Sequence, residues 1–208
     1  EALGLEEHEL VPALQDAVAN PLASVTIDSP PCQEVVHDNP DLTKLLPIPT
    51  HNEHDSGPYI TAGLAITRNP RTGIQNVAIH RLQLSGRNEL GALLLPRHTL
   101  SFFEAVEQDG GDLDIAIVIG TSPATLLASQ AVVPIDYDEL EIAGALGGAP
   151  LEVATCIDSN IRVPAAAEII LEGKILANTR APEGPFGEFP QYYGERANNH
   201  VIRINKVT

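Results

Sequence analysis

The sequence predicts an α+β domain, a mainly β barrel or sandwich with inserted helices, preceded by a short helical and extended segment. Three observations carry this reading. Strand-like runs dominate from Tyr59 onward, the helical stretches between them are few and short, and residues 28–58 are rich in Pro, Asp, Asn and His. A doubly wound sheet would instead need strands alternating regularly with helices. With 43% hydrophobic positions in 208 residues, one main core is expected.

The elements follow in chain order. Leu10, Val11, Leu14 and Val18 recur at helical spacing within residues 6–19, and Asn20-Pro21 stops the run. Pro30-Pro31, Asn39-Pro40, Pro47 and Pro49 make residues 28–58 an extended connector expected to wrap over the core. Residues 59–67 and 75–84 read as two strands joined by Arg68-Asn69-Pro70-Arg71-Thr72-Gly73, a hairpin. Residues 100–108 read as a short helix stopped by Gly110-Gly111, and the Ile- and Val-dense residues 113–119 as a buried strand. Ser122 is placed to cap a helix with Pro123 at its first position, running through Ala128. Further strands are expected at 151–156, 168–171 and 201–207.

Composition excludes several classes of function. Twenty-eight acidic against twelve basic residues give a net charge of −16, which repels nucleic acid and anionic membrane, though it also fits a solvated, salt-adapted surface. No apolar run approaches the roughly 20 residues that span a bilayer, and the first 25 residues lack a signal-peptide pattern, so a cytoplasmic protein is expected. Cys32 and Cys156 have no metal-site or disulfide spacing and read as free thiols. The chain begins at Glu1 and contains no Met, which suggests a piece of a longer product. The templates GxGxxG, GxxxxGK[ST], HExxH and GxSxG are absent.

Four places could carry chemistry. In Pro182-Glu183-Gly184-Pro185-Phe186-Gly187-Glu188, two glycines and two prolines fix a loop around two carboxylates. Such a loop can aim both acids into one cleft and give one a general-acid role, although spacing alone also fits an acidic surface turn. In Asn76-Val77-Ala78-Ile79-His80-Arg81, alternation puts Asn76 and His80 on one face and Arg81 on the other. A bulge or strand end is needed for Asn76 and Arg81 to share a site. His98 follows the apolar run 93–97, and Glu139 sits in Asp138-Glu139-Leu140-Glu141; with Asn76 they offer O and N donors suited to Mn or Mg. Each also fits a structural role. His51 and His54, among Asn52, Glu53 and Asp55, read as solvated connector.

The ordered segments LPIPTHNEHDSGPYITAG, GIQNVAIHR, LLPRH, ASQAVVPIDYDELEIAGAL and PEGPFGE together resemble the UbiD family of decarboxylases from about Leu46 onward. The resemblance implies a split-barrel (flavin-reductase-like) domain at 51–208 after a partial helix and connector at 1–50. It also implies an absent C-terminal domain that builds a homo-oligomer. It implies prenylated FMN (prFMN), supplied by a flavin prenyltransferase, with Mn2+ or Mg2+ on the phosphate and K+ nearby. By position in the matching motifs, the metal ligands are Asn76, His98 and Glu139, with Glu141 the neighbouring alternative. Cofactor contacts fall to Asn76, Ala78, Ile79, Arg81, Arg97, His98, Ser129 and Glu139. Arg97 departs from relatives that carry an uncharged residue there.

The activity implied is reversible, non-oxidative decarboxylation of an aromatic or α,β-unsaturated acid, with the cofactor carrying the hard step. Arg81 and Glu183 then position the substrate and Glu188 donates the proton. A non-catalytic flavin- or metal-binding or assembly module, or an FMN-dependent reductase, would use the same fold.

Overall fold

A computed structural model describes residues 3–208. In chain order its elements are α1 (Leu10–Ala19), β1 (Val25–Thr26), β2 (His37–Asp38), α2 (Leu42–Leu45), β3 (Tyr59–Ile60), β4 (Leu64–Arg68) and β5 (Gln75–Ile79). There follow β6 (Leu82–Leu84), β7 (Glu89–Ala92), α3 (His98–Glu107), β8 (Leu113–Ile119), α4 (Pro123–Ala128) and α5 (Glu139–Gly147). The last are β9 (Glu152–Thr155), β10 (Arg162–Pro164), β11 (Ile169–Glu183), β12 (Phe186–Gly187), β13 (Tyr193–Gly194) and β14 (Ala197–Val207).

One sheet runs in the order β3-β6-β7-β14-β11-β8-β4-β5, with β2 paired to β14. Its edges must meet. β5 at one edge and β6, next to the other, are joined by His80 and Arg81 alone, while residues 61–63 join β3 to β4. Links that short reach only about 10–14 Å, so the sheet curls into a barrel split along this seam. A smaller sheet, β1-β9-β10, and the pair β12-β13 complete the β-structure.

β8 shows why the apolar run at 113–119 lacks alternation. Leu113, Ile115 and Ile117 enter a cluster with Leu82, Leu90, Ile202 and the α3 residues Phe102 and Phe103. Ala116 and Val118 enter a second cluster with Leu140, Val153 and Val163. Both faces are therefore buried. Against the second cluster lie the helices: Ala17, Ala128, Ile142 and Ala143 pack together, with Leu14 and Val18 alongside.

Several expectations hold as stated. β4 and β5 form the hairpin, in register from Leu64↔Ile79 to Arg68↔Gln75. Ser122 Oγ accepts the Thr125 N–H at 3.2 Å, capping α4 with Pro123 at its start. The extended connector wraps the core, burying Leu42 completely, although it contains α2 and lends β2 to the main sheet.

Other expectations are corrected. The single strands at 59–67 and 75–84 are each two strands, because the chain crosses the barrel seam in the middle of each run. The strand at 168–171 extends to Glu183. Its apolar signal fades at Glu172-Gly173-Lys174, where a register shift against β14 brings the backbones so close that a side chain on Gly173 would overlap the Arg203 carbonyl. The helix expected at 100–108 begins at His98. β7, β10 and α5 were not anticipated. For α5 the signals were present: Asp138 caps it by accepting the Leu140 N–H at 3.0 Å, and Gly148 ends it at φ 77°.

Candidate active site

The seam opens into a cleft of about 1050 Å³ whose lining includes residues 76–81, 95–99 and 129–133, with Glu139 and Glu188. That volume suits a cofactor-sized ligand. Three element ends converge on it: the end of β5, and the first turns of α3 and α5. Because β5 stops at Ile79, Asn76, His80 and Arg81 all line the cleft, which meets the strand-end condition that alternation imposed.

The basic centre is Arg81, whose side chain is 11% exposed. Its Nε and Nη2 donate to Glu183 Oε1 and Oε2 at 3.0 and 2.9 Å, a two-pronged grip, and Nη1 donates to Glu188 Oε1. Burial works against the guanidinium charge, but the hydrogen bonds and charges of both carboxylates outweigh it and hold its pKa above the ordinary value. The two acids differ. Glu183 is fully buried and also accepts from Tyr59 Oη at 3.0 Å and Asn199 Nδ2 at 2.7 Å. Glu188 lines the cleft with a side chain 45% exposed. Burial, aided by the Glu183 charge, pushes the Tyr59 phenol up to about 12, so it stays a donor.

Small residues make room for this network. A Cβ on Gly194 would stand 2.8 Å from Arg81 Nη1, and one on Gly91 would stand 3.2 Å from Glu183 Cγ. Arg81 also lies 5.6 Å from the Phe186 ring centroid. The segment read as solvated connector braces the site. Asp55 Oδ1 accepts the Gly187 N–H at 2.8 Å, while Oδ2 accepts those of His51 and Asn52. His51 and His54 are exposed, but Asp55 ties their loop to the Glu188 segment.

Asn76, His98 and Glu139 line the same cleft, whereas Glu141 does not. His98 Nδ1 and Asn76 Oδ1 are 2.9 Å apart. That spacing is close to the roughly 3 Å edge of an octahedron with bonds of about 2.1 Å, so the pair can share one ion. Glu139, 4% exposed, has no basic side-chain partner among the described residues. Its Oε2 accepts the Val77 N–H at 2.8 Å, satisfying a donor that the edge strand β5 leaves unpaired. Burial, aided by Asp138, pushes its pKa up to about 7. Among the described residues no three His, Cys, Asp or Glu side chains cluster as a metal site. The donor set therefore needs its amide.

The other residues expected to contact a cofactor border the same cleft. Ala78, Ile79, Arg97 and Ser129 line the cleft. Arg97 is exposed and carries no ion pair among the described residues, while Ser129 is 7% exposed. Ala128, the last residue of α4, is buried outside the lining. His80 and Thr99, to which the sequence alone assigns no role, join the lining through hydrogen bonds to each other and to Asn76.

A split barrel whose seam cleft is lined by Arg81 and Glu188 together with an amide, an imidazole and a further carboxylate has the volume and the polar groups to hold a small polar ligand. The chain belongs to the UbiD family: residues 24–208 match the domain described as 3-octaprenyl-4-hydroxybenzoate carboxy-lyase Rift-related domain. It is 37% identical over 206 residues to an anhydromevalonate phosphate decarboxylase of Methanothermobacter thermautotrophicus, across 99% of this chain and 48% of that protein. An evolved dimeric form of the UbiD-class enzyme HmfF from Pelotomaculum thermopropionicum, solved with prFMN, superposes with a TM-score of 0.97 at 48% identity. It covers all of this chain and 49% of its own. The vanillic acid decarboxylase of Sedimentibacter hydroxybenzoicus in closed form gives 0.93 at 30% identity, covering all of this chain and 47% of its own. The chain thus spans about half the length of these relatives. No helix among the described residues is long and apolar enough to cross a membrane.

Proposed function

We propose that the whole protein is a carboxy-lyase that reversibly and non-oxidatively decarboxylates an aromatic or α,β-unsaturated acid, with prFMN held in the seam cleft. The observation that carries this reading is the inequivalence of the two carboxylates on Arg81, one locked in the core and one open to the cleft. A flavin- or metal-binding module would need neither.

Arg81 orients the substrate carboxylate and is itself held in plane by Glu183. As the bond to the carboxylate carbon breaks and CO2 leaves, Glu188 delivers the proton that takes its place, then recovers one from water. Bound prFMN supplies the electron sink for that cleavage. Asn76, His98 and Glu139 would hold a Mn2+ or Mg2+ ion that offsets the cofactor's negative charge, Arg97, Ala78 and Ile79 would contact the cofactor, and Ser129 would contribute to a K+ site. The same reading includes a cytoplasmic, homo-oligomeric protein that takes its cofactor from a flavin prenyltransferase. Relatives that are decarboxylases, and a UbiD-class relative solved with prFMN, support it.

The test is to make the full-length protein together with a flavin prenyltransferase and measure the absorbance and mass of the released ligand. Prenylated flavin is expected. Unmodified FMN alone would turn the assignment toward a reductase, and no flavin at all toward an assembly module.

A further inference from the structure

The polar wall of the cleft contains two side chains, His80 and Thr99, with no role in the proposed chemistry. A hydrogen-bonded chain runs through them and Asn76, and Asn76 and Thr99 are 6% and 2% exposed. His98 Nδ1 meets Asn76 Oδ1 at 2.9 Å, Asn76 Nδ2 donates to Thr99 Oγ1 at 3.3 Å, and Thr99 Oγ1 meets His80 Nε2 at 3.3 Å. The chain interlocks two short segments: Asn76 and His80 share a face at the end of β5, and His98 and Thr99 are consecutive in the first turn of α3.

Its polarity follows from donor chemistry. An amide NH2 only donates, so Thr99 Oγ1 must accept from Asn76. In the Nδ1–H tautomer of His80 the remaining hydroxyl hydrogen is donated to Nε2, 3.3 Å away. Burial, with the nearby His200, lowers the His80 pKa to about 4, so the ring is a neutral acceptor at ordinary pH. With the amide nitrogen committed to Thr99, the Asn76 oxygen can face only His98. A flipped amide would present NH2 to His98 and lose the oxygen donor.

We infer that Thr99 and His80 are positioning residues that fix the Asn76 amide with its oxygen turned toward the metal-binding position. The inference rests on Asn76, His98 and Glu139 being the ligands, and it makes the end of β5 and the start of α3 one preorganised unit. Groups that orient a ligand typically control affinity by about 10- to 100-fold.

The experiment uses the full-length protein, stripped of metal, supplied with FMN and titrated with Mn2+ followed by electron paramagnetic resonance; thermal melting verifies that each variant folds. Thr99→Val, nearly isosteric but without the hydroxyl, is expected to weaken Mn2+ binding about 10-fold or more, and Thr99→Ser to restore it. His80→Phe moves affinity in the same direction. In an Asn76→Ala background Thr99→Val should have no further effect, because its role runs through the amide. Equal weakening by Thr99→Val with and without Asn76 would show a merely structural role and overturn the inference. So would wild-type affinity in Thr99→Val while Asn76→Ala binds weakly, an outcome that leaves the ligand set standing. Wild-type affinity in Asn76→Ala, or no Mn2+ binding by the wild type, would sink the ligand set and this inference together.

Discussion

Replacing Arg81 by Ala, beside Arg81→Lys and Glu188→Gln, weighs the structural half of the Arg81 network against the half to which catalysis is proposed. Glu183 is fully buried, and its remaining side-chain donors, Tyr59 and Asn199, are neutral. Removing the guanidinium leaves a buried carboxylate without a countercharge, which costs about 3–5 kcal/mol. For a domain of this size each kcal/mol shifts the melting midpoint by about 2–4 °C, so a drop of roughly 6–20 °C is expected. Arg81→Lys retains the charge but not the two-pronged geometry, so it loses about one charged hydrogen bond, roughly 1.5–3 kcal/mol. Glu188→Gln breaks a contact whose carboxylate is 45% exposed, worth under about 1 kcal/mol after solvent screening. Thermal unfolding by circular dichroism at neutral pH reads all three. An Arg81→Ala midpoint within about 2 °C of wild type would refute the reasoning, as would Glu188→Gln destabilising as strongly as Arg81→Ala.

Three further outcomes are expected. Glu188→Gln in the full-length protein should retain flavin while turnover falls about 100-fold or more, and deuterium incorporation from D2O at the former carboxylate carbon should fall with it. Normal turnover would move the acid role elsewhere, with Glu183 tested first. The 208-residue chain, spanning 48% of a relative's length, is expected to turn over far more slowly than the full-length protein, on the proposal that further chain shields the cofactor from water; comparable rates would disprove this. His80 binds its proton at about 4 when folded against 6.5 when unfolded, so the unfolded state takes up protons first. Stability is therefore lost as pH falls from about 6.5 to 4, by up to about 3 kcal/mol. Urea titrations should show His80→Phe with a shallower decline than wild type over that window, and an unchanged slope would count against it.

The legible parts of the sequence were those in which local chemistry decides the outcome. Ser122-Pro123 caps a helix wherever it sits, the turn residues at 68–73 make a hairpin without help, and the run at 113–119 can only be buried. Barrel closure was not legible. Nothing in residues 75–84 marks that the chain leaves one edge of the sheet at Ile79 and joins the other side of the seam at Leu82, because both strands share one apolar texture. Motif order picked out residues that the fold brings to one cleft, and their arrangement there depends on contacts distant in sequence. Tyr59 and Asp55 carry no local mark of their role, since they meet Glu183 and Gly187 across 124 and 132 residues of chain. Asn199 reaches Glu183 only because β11 and β14 pair. Gly91 and Gly194 carry no local mark either, although each lies where a charged side chain passes close to backbone.

The location of Arg81 explains why closure and chemistry coincide. A split barrel has one line along which no strand ladder joins its edges, and the chain crosses that line at His80 and Arg81. Backbone groups at such a crossing are free of ladder pairing, so side chains there can turn away from the strict alternation of a strand. Arg81 uses that freedom to reach Glu183 at the end of β11 and Glu188 beyond β12, tying the crossing to the middle of the sheet. Two of its donor positions, Nε and Nη2, are consumed by Glu183, and Nη1 serves the cleft side. A guanidinium anchored in this way has little freedom to follow a substrate. Glu188, held by a single prong with its side chain 45% exposed, is the less constrained partner, and the proposed function assigns it the proton delivery.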